Sequence, residues 1–265
     1  MAAIQAPAVS AEPIIRLCRG IEEMETCVRL QKEVWNFSDY DLIPLRMFVV
    51  AEKVGGQVIG AFIDDVMIGF ALSIPGTRAG YSYLHSHMLA VKSEYRNARI
   101  GQRIKLFQRE DALARGFELL EWTFDPLEIK NSHLNITRLG AIARRYVLNQ
   151  YGTSSSPLHG GLPTDRLVAE WWLRSRRVHD VLAEAREVGF AAELTVRVPA
   201  EIGQWKASPE TRARAADVQA RNREQFLKAF AGGLSVLGYD RDSAGNGTFL
   251  LGRWDENWSY VRQGR

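Results

Sequence analysis

The sequence predicts a mixed α/β (α+β) fold, with helices and strands alternating along the chain and an αβ extension at its C-terminal end. Short apolar runs of strand length alternate with longer segments whose apolar residues recur three and four places apart, and Gly, Pro, Asn and Asp punctuate the joins. The 265 residues are 46% hydrophobic and 25% charged, which suits a folded protein with a sizeable core, as one large or two small domains.

The elements follow in order. Ile14 to Cys18 reads as a strand, and Ile21, Met24, Val28 and Trp35 give the next segment helical spacing. Ile43 to Val54 forms a second helix, ended by Gly55-Gly56. Gln57 to Ile63 and Val66 to Ile74 read as strands of a hairpin joined at Asp64-Asp65, and Pro75-Gly76 as the turn that follows. Tyr81 to Val91 is apolar and aromatic enough for a central strand, and Ile100, Ile104, Phe107 and Ala114 share one face of the helix after it, which Gly116 stops. Phe117 to Phe124 is the next strand, and Leu134, Leu139, Ile142 and Ala143 supply a buried face if Asn131 to Tyr146 is a helix. A loop from Tyr151 to Thr164, with Ser154-Ser155-Ser156 and Gly160-Gly161, leads into a strand from Leu167 to Leu173.

Beyond it, Arg176 to Val188 reads as helix, Ala192 to Val198 as strand and Pro209 to Phe230 as a long helix. Leu234 to Tyr239 and Thr248 to Leu251 form a hairpin whose turn suits Asn246-Gly247. The organisation expected is a disordered tail over 1–13, a principal domain over 14–176, and an extension or small second domain over 177–265.

Composition narrows the function. A net charge of +3 is small for this length, so a nucleic-acid partner is not expected despite Arg174, Arg176 and Arg177. The two cysteines, Cys18 and Cys27, match neither a zinc ligand pair nor a disulfide framework, which fits a reducing cytoplasm and no metal site. The N-terminus lacks the basic and continuously apolar regions that export requires. The longest apolar stretch, Val58 to Ile74, is broken by Asp64-Asp65, so no membrane span is expected.

The turn between the central strand and its helix reads Val91-Lys92-Ser93-Glu94-Tyr95-Arg96-Asn97-Ala98-Arg99-Ile100-Gly101-Gln102. It resembles the acyl-CoA-binding motif of GNAT-superfamily N-acyltransferases, Gln/Arg-x-x-Gly-x-Gly/Ala, with Arg96 and Gly101 at the first and last places. Arg99 stands where the pattern has its first Gly, and a side chain there disfavours positive φ. The order of elements from Ile14 to Leu173 is similar to that of the superfamily. So is Asn131-Ser132-His133-Leu134-Asn135-Ile136-Thr137-Arg138-Leu139-Gly140-Ala141, which resembles the helix that follows the next strand in those proteins.

The resemblance implies a GNAT-like central mixed sheet flanked by helices. It also implies acetyl-CoA or another acyl-CoA as cosubstrate, cradled by Leu89, Val91, Arg96, Asn97, Ala98, Arg99, Ile100, Gly101 and Gln102, with Asn135 near the pantetheine arm. Asn135 reads equally as a residue that only bridges backbone groups. The physics of the cradle is general: backbone N–H groups at a helix N-terminus converge on a pyrophosphate, and the helix dipole adds attraction. Arg103 and Lys105 are nearby cations for the remaining phosphate.

The reaction expected is N-acyl transfer, an acetyl or other short acyl group moving to the amine of a small molecule, such as an amino acid, by direct attack. Such a step needs a base for the ammonium proton and donors for the oxyanion. In a regular strand Tyr83, His85, His87, Leu89 and Val91 share a face, although the bulge usual in that GNAT strand breaks such alternation. His87 is the favoured base and Glu121 its rival. Each also reads as a hydrogen-bonded core residue. The place where many GNAT enzymes put an acidic Tyr holds Ile136, leaving Tyr146 and Tyr151 as substitutes. Arg138, Arg144 and Arg145 would suit an acceptor carboxylate, and one of Trp171 and Trp172 would line a pocket. The extension either closes the acceptor site or builds a homodimer. The alternative function is a non-catalytic GNAT-like module that binds acyl-CoA or a partner.

Overall fold

A computed structural model describes residues 12–152, 160–183 and 189–260. The expected tail up to residue 11, the serine run of the 151–164 loop and the end of the expected Arg176 to Val188 helix lie outside the described residues. The chain divides into two compact units, Met1–Phe117 and Glu118–Arg265. The fold is mixed α/β, as the sequence predicts. No helix among the described residues is long and apolar enough to cross a membrane.

The first unit carries β1 (Ile14–Leu17), α1 (Gly20–Trp35), α2 (Leu45–Lys53), β2 (Gln57–Ile63), β3 (Val66–Arg78), β4 (Tyr81–Val91) and α3 (Ile100–Ala114). The strands pair antiparallel in the order β1-β2-β3-β4. Because side chains alternate across a strand, each strand feeds two cores. Val58, Phe62, Phe70 and Leu72 meet Met24, Cys27 and Leu30 of α1 and Phe48 and Ala51 of α2. Ile59, Ala61, Ile68 and Ala71 meet Ile100 and Ile104 of α3.

Asp64 and Asp65 adopt φ of 47° and 63°, which closes the β2–β3 hairpin as a two-residue turn matched to the strand twist. Pro75-Gly76 is not a turn. β3 continues through it to Arg78, and the chain reverses at Ala79 and Gly80, with φ of 48° and 78°. The proline is tolerated because β2 stops pairing at Ser73, so from there β3 has only β4 beside it. Gly76 is needed at its place, since a Cβ would lie 2.8 Å from the Tyr83 ring.

The second unit carries β5 (Leu119–Phe124), α4 (Ile129–His133), β6 (Ile142–Val147), β7 (Arg166–Trp172), α5 (Arg176–Leu182), β8 (Leu194–Val198), α6 (Ile202–Ala207), α7 (Arg212–Ala231), β9 (Ser235–Arg241) and β10 (Gly247–Gly252). Its strands run β5-β7-β6-β9-β10-β8. The expected single helix from Asn131 to Tyr146 is corrected. α4 passes into a π turn over Leu134–Arg138, Gly140 takes φ 75°, and the chain leaves as β6. The spacing of Leu139, Ile142 and Ala143 suits a helix, but pairing of β6 with β7 and β9 overrides it. α6 was not foreseen, because six residues are too few to display a period.

Asp165, fully buried, ties this unit together. Its carboxylate accepts from the Tyr146 hydroxyl at 2.9 Å, the Asn149 N–H at 2.9 Å and Arg223 of α7 at 2.8 Å. Removing one side of a buried ion pair leaves the other uncompensated. Asp165→Ala should therefore lower the unfolding free energy by about 3–5 kcal/mol, read from urea denaturation.

Candidate functional site

The junction of β4 and α3 is built by backbone conformation. After Val91 a 3₁₀ turn covers Ser93–Tyr95, Asn97 takes φ 68°, and Arg99 takes φ 58° and ψ 14° as the residue before the helix. Arg99 thus adopts the left-handed conformation that a glycine would supply, at a cost of about 1–2 kcal/mol for a residue with a Cβ. The side chain departs from the glycine pattern while the backbone keeps its shape.

The first intrahelical bond of α3 here runs from the Arg103 N–H to the Arg99 carbonyl at 3.0 Å. The N–H groups of Ile100, Gly101 and Gln102 precede it and point out of the helix end, where the dipole is positive, and no side chain caps them. Buried Ile100 anchors this end in the α3-side core, which half-buried Leu89 and Val91 also join. A Cβ on Gly101 would make only ordinary contacts, 3.8 Å to Leu89 and 4.0 Å to Val91. Packing alone does not demand glycine there.

The side chains around this junction divide clearly. Arg96 folds back on the carbonyls of Val91, at 3.4 Å, and Val34, at 3.5 Å, and so braces the turn. Asn97, Ala98 and Arg99 are exposed and Gln102 is half-buried. Neither extra cation is turned toward a phosphate: Arg103 bonds the Pro13 carbonyl at 3.0 Å, and Lys105 is buried beneath the sheet.

β4 is not a regular strand. Leu72 pairs with Met88 and Ser73 with Ser86, so His87 is an extra residue, a β-bulge. Below the bulge the two faces exchange, and the five residues from Tyr83 to Val91 do not share one. Met88 and Ala90 join the α1–α2 core, whereas Leu89 and Val91 pack on the α3 side. His85 and His87 have ring centroids 6.1 Å apart. His87 is exposed as a residue, yet the protein around its ring desolvates it enough to lower its pKa below the ordinary 6.5. It is therefore neutral, and able to accept a proton, at pH 7.

In the second unit, Glu121 lies on β5 opposite Glu170 of β7, and both are buried. Arg145 reaches Glu121 at 2.5 Å and Arg144 reaches Glu170 at 2.5 Å. Two of the three arginines expected to meet an acceptor carboxylate, Arg144 and Arg145, are thus paired with the chain's own carboxylates. Tyr260 donates to Glu121 at 2.6 Å, and burial followed by the Glu170 charge raises its pKa. Trp258 stacks on Trp172 at 5.7 Å, so the C-terminal stretch crosses this part of the sheet. The three aromatics Trp254, Trp258 and Tyr260, in an otherwise polar stretch, are the sequence signal that this segment packs.

Trp171 and Trp172 are both buried, so neither lines an open pocket. Tyr146, on β6, gives its hydroxyl to Asp165, and burial followed by that carboxylate raises its pKa. Tyr151 meets the Thr123 hydroxyl at 2.9 Å. Asn135 sits in the π turn, only 2% exposed, with its Nδ2 lacking a hydrogen-bond partner among the described residues. A buried amide left unsatisfied is costly, and π turns recur where ligands bind.

Two substitutions test the junction. Arg99→Gly should raise stability by about 1 kcal/mol, seen as a higher urea midpoint. Gly101→Ala should leave the midpoint equal or higher, since a helical glycine gains from a Cβ that makes only ordinary contacts.

No protein-family model matches the sequence, and no curated protein matches it. Solved structures do. An N-acetyltransferase from Staphylococcus aureus Mu50 is 14% identical, with 62% of this chain and 100% of that one covered at a TM-score of 0.51. The Salmonella typhimurium protein yncA, solved with acetyl-CoA, is 13% identical, with 62% and 96% covered at a TM-score of 0.50. At such identity the likeness is one of fold. Over about three fifths of its length the chain shares the fold of these acetyltransferases.

Proposed function

We propose that the protein moves an acetyl or other short acyl group from an acyl-CoA to the amine of a small molecule, such as an amino acid, by direct attack on the thioester. The observation that carries this reading is the β4–α3 junction, where Arg99 holds a left-handed backbone and three helix-end N–H groups point outward with no side chain capping them. The bulge before it supports the same reading. Residues 14–176 would form the acyl-CoA-binding domain, with 177–265 as its extension.

Within this proposal the N–H groups from Ile100 to Gln102 hold the pyrophosphate. Backbone N–H groups of Leu89 and Val91 orient and polarise the thioester. Neutral His87 takes the proton of the attacking ammonium, directly or through water. Glu121, already held by Arg145 and Tyr260, is the less available candidate, and Tyr146 is committed to Asp165.

A thiol-release assay with acetyl-CoA and succinyl-CoA against a panel of amines tests the reading. Turnover should fall about 100-fold in His87→Ala. The wild-type kcat/KM should decline as pH falls, with a midpoint below 6.5, because only the unprotonated ring serves and its pKa is lowered. Full turnover in both His87→Ala and Glu121→Ala would remove both bases. The commitment of Tyr146 and Glu121 to internal partners favours a second reading, a non-catalytic acyl-CoA-binding module. Coenzyme binding without turnover on any amine would select it.

A further inference from the structure

Lys105 is 2% exposed, on the face of α3 that covers the sheet. Its amino group donates to the Ser86 hydroxyl at 2.9 Å and to the Gln108 side-chain oxygen at 2.9 Å. Ser86 is the last residue of β4 in register before the bulge, paired with Ser73. The Ser73 hydroxyl donates to Gln57 at 2.7 Å, and the Gln57 amide donates to the Gln108 carbonyl at 2.9 Å and to Asp111 at 2.7 Å. Gln57, Ser73 and Ser86 thus form one polar row across β2, β3 and β4. Lys105, Gln108 and Asp111, spaced three apart on one helix face, cover it.

The rest of this interface is apolar, with Ile59, Ala61, Ile68, Ala71, Ile100 and Ile104. An apolar row would pack there at less cost, since burial disfavours a charged amine and pushes the Lys105 pKa well below its ordinary value. What a hydrogen bond adds is direction. β4 has an alternative without the extra residue, and a one-residue slip carries every side chain beyond it to the other face. In that register His87 would enter the α3 side. A donor fixed on α3 and aimed at the residue before His87 favours the bulged register over the slipped one.

We infer that Lys105 is a positioning residue, which through Ser86 holds the bulge that presents His87 and the Leu89 and Val91 amides. The inference rests on the acyl-transfer reading for its kinetic consequence, but the geometric consequence stands apart from it. Lys105→Met fills a similar volume without the donor, and Ser86→Ala removes the acceptor while leaving the lysine.

Lys105→Met should keep the wild-type denaturation midpoint or exceed it, and Ser86→Ala, which takes a partner from the buried lysine, should lower it; both should lose kcat roughly 10- to 100-fold and hold KM for the acyl-CoA within about twofold. The double variant should be no worse than either single one, since both remove the same contact. In NMR spectra the His87 ring and Met88 amide signals should move, while those of the β1–β2 pairs stay. Unmoved His87 and Met88 signals, undiminished turnover or additive losses would overturn the inference. A wild-type protein that turns over no amine, but whose His87 and Met88 signals still move in Lys105→Met, would refute the acyl-transfer reading and leave the structural role of Lys105 intact. If Lys105→Met does not fold, Ser86→Ala gives the same kinetic and NMR readings.

Discussion

The extra residue in β4 is the constraint on which the first unit depends. A strand alternates its faces strictly, so one inserted residue exchanges the faces of everything on one side of it. Above the bulge, Met88 and Ala90 serve the α1–α2 core, and Leu89 and Val91 the α3 side. Below it, Ser86 takes the α3 side and meets Lys105. The bulge leaves His87 without a rung partner, with enough protein around its ring to lower its pKa. One irregularity therefore places an apolar layer, a polar row and a titratable group in their separate positions.

The second unit solves a different problem, the burial of carboxylates inside a sheet. Glu121 and Glu170 face each other on neighbouring strands, and two such charges would repel without compensation. Arg144 and Arg145 on β6 supply it, with Tyr260 completing the coordination of Glu121. Asp165 is treated in the same way by Tyr146 and Arg223. These groups rigidify the sheet, and the same pairing draws them away from chemistry. An arginine already neutralised by a buried glutamate is a poor anchor for a substrate carboxylate.

At the β4–α3 junction, backbone shape and side-chain identity come apart. The glycine pattern of such turns is a statement about φ, and Arg99 satisfies it at φ 58° without being glycine. Gly101 shows the reverse. Its backbone is helical and a Cβ would make only ordinary contacts with Leu89 and Val91, so neither conformation nor packing requires a glycine there.

The sequence by itself determined the mixed α/β class, the strand–turn–helix unit from Tyr81 to Ala114 and the hairpin at Asp64-Asp65, because periodicity and turn chemistry are local. It also marked Leu89 to Gln102 as the segment of interest. Tertiary structure decided the rest. The stretch from Ile142 to Val147 carries helical spacing and becomes a strand because β7 and β9 offer it partners. The bulge at His87 depends on how β4 registers against β3, and the retention of Glu121 by Tyr260 joins residues 139 positions apart. Contacts of that separation leave no local pattern, so only the folded chain reveals which ionisable groups are paired and which remain open to a ligand.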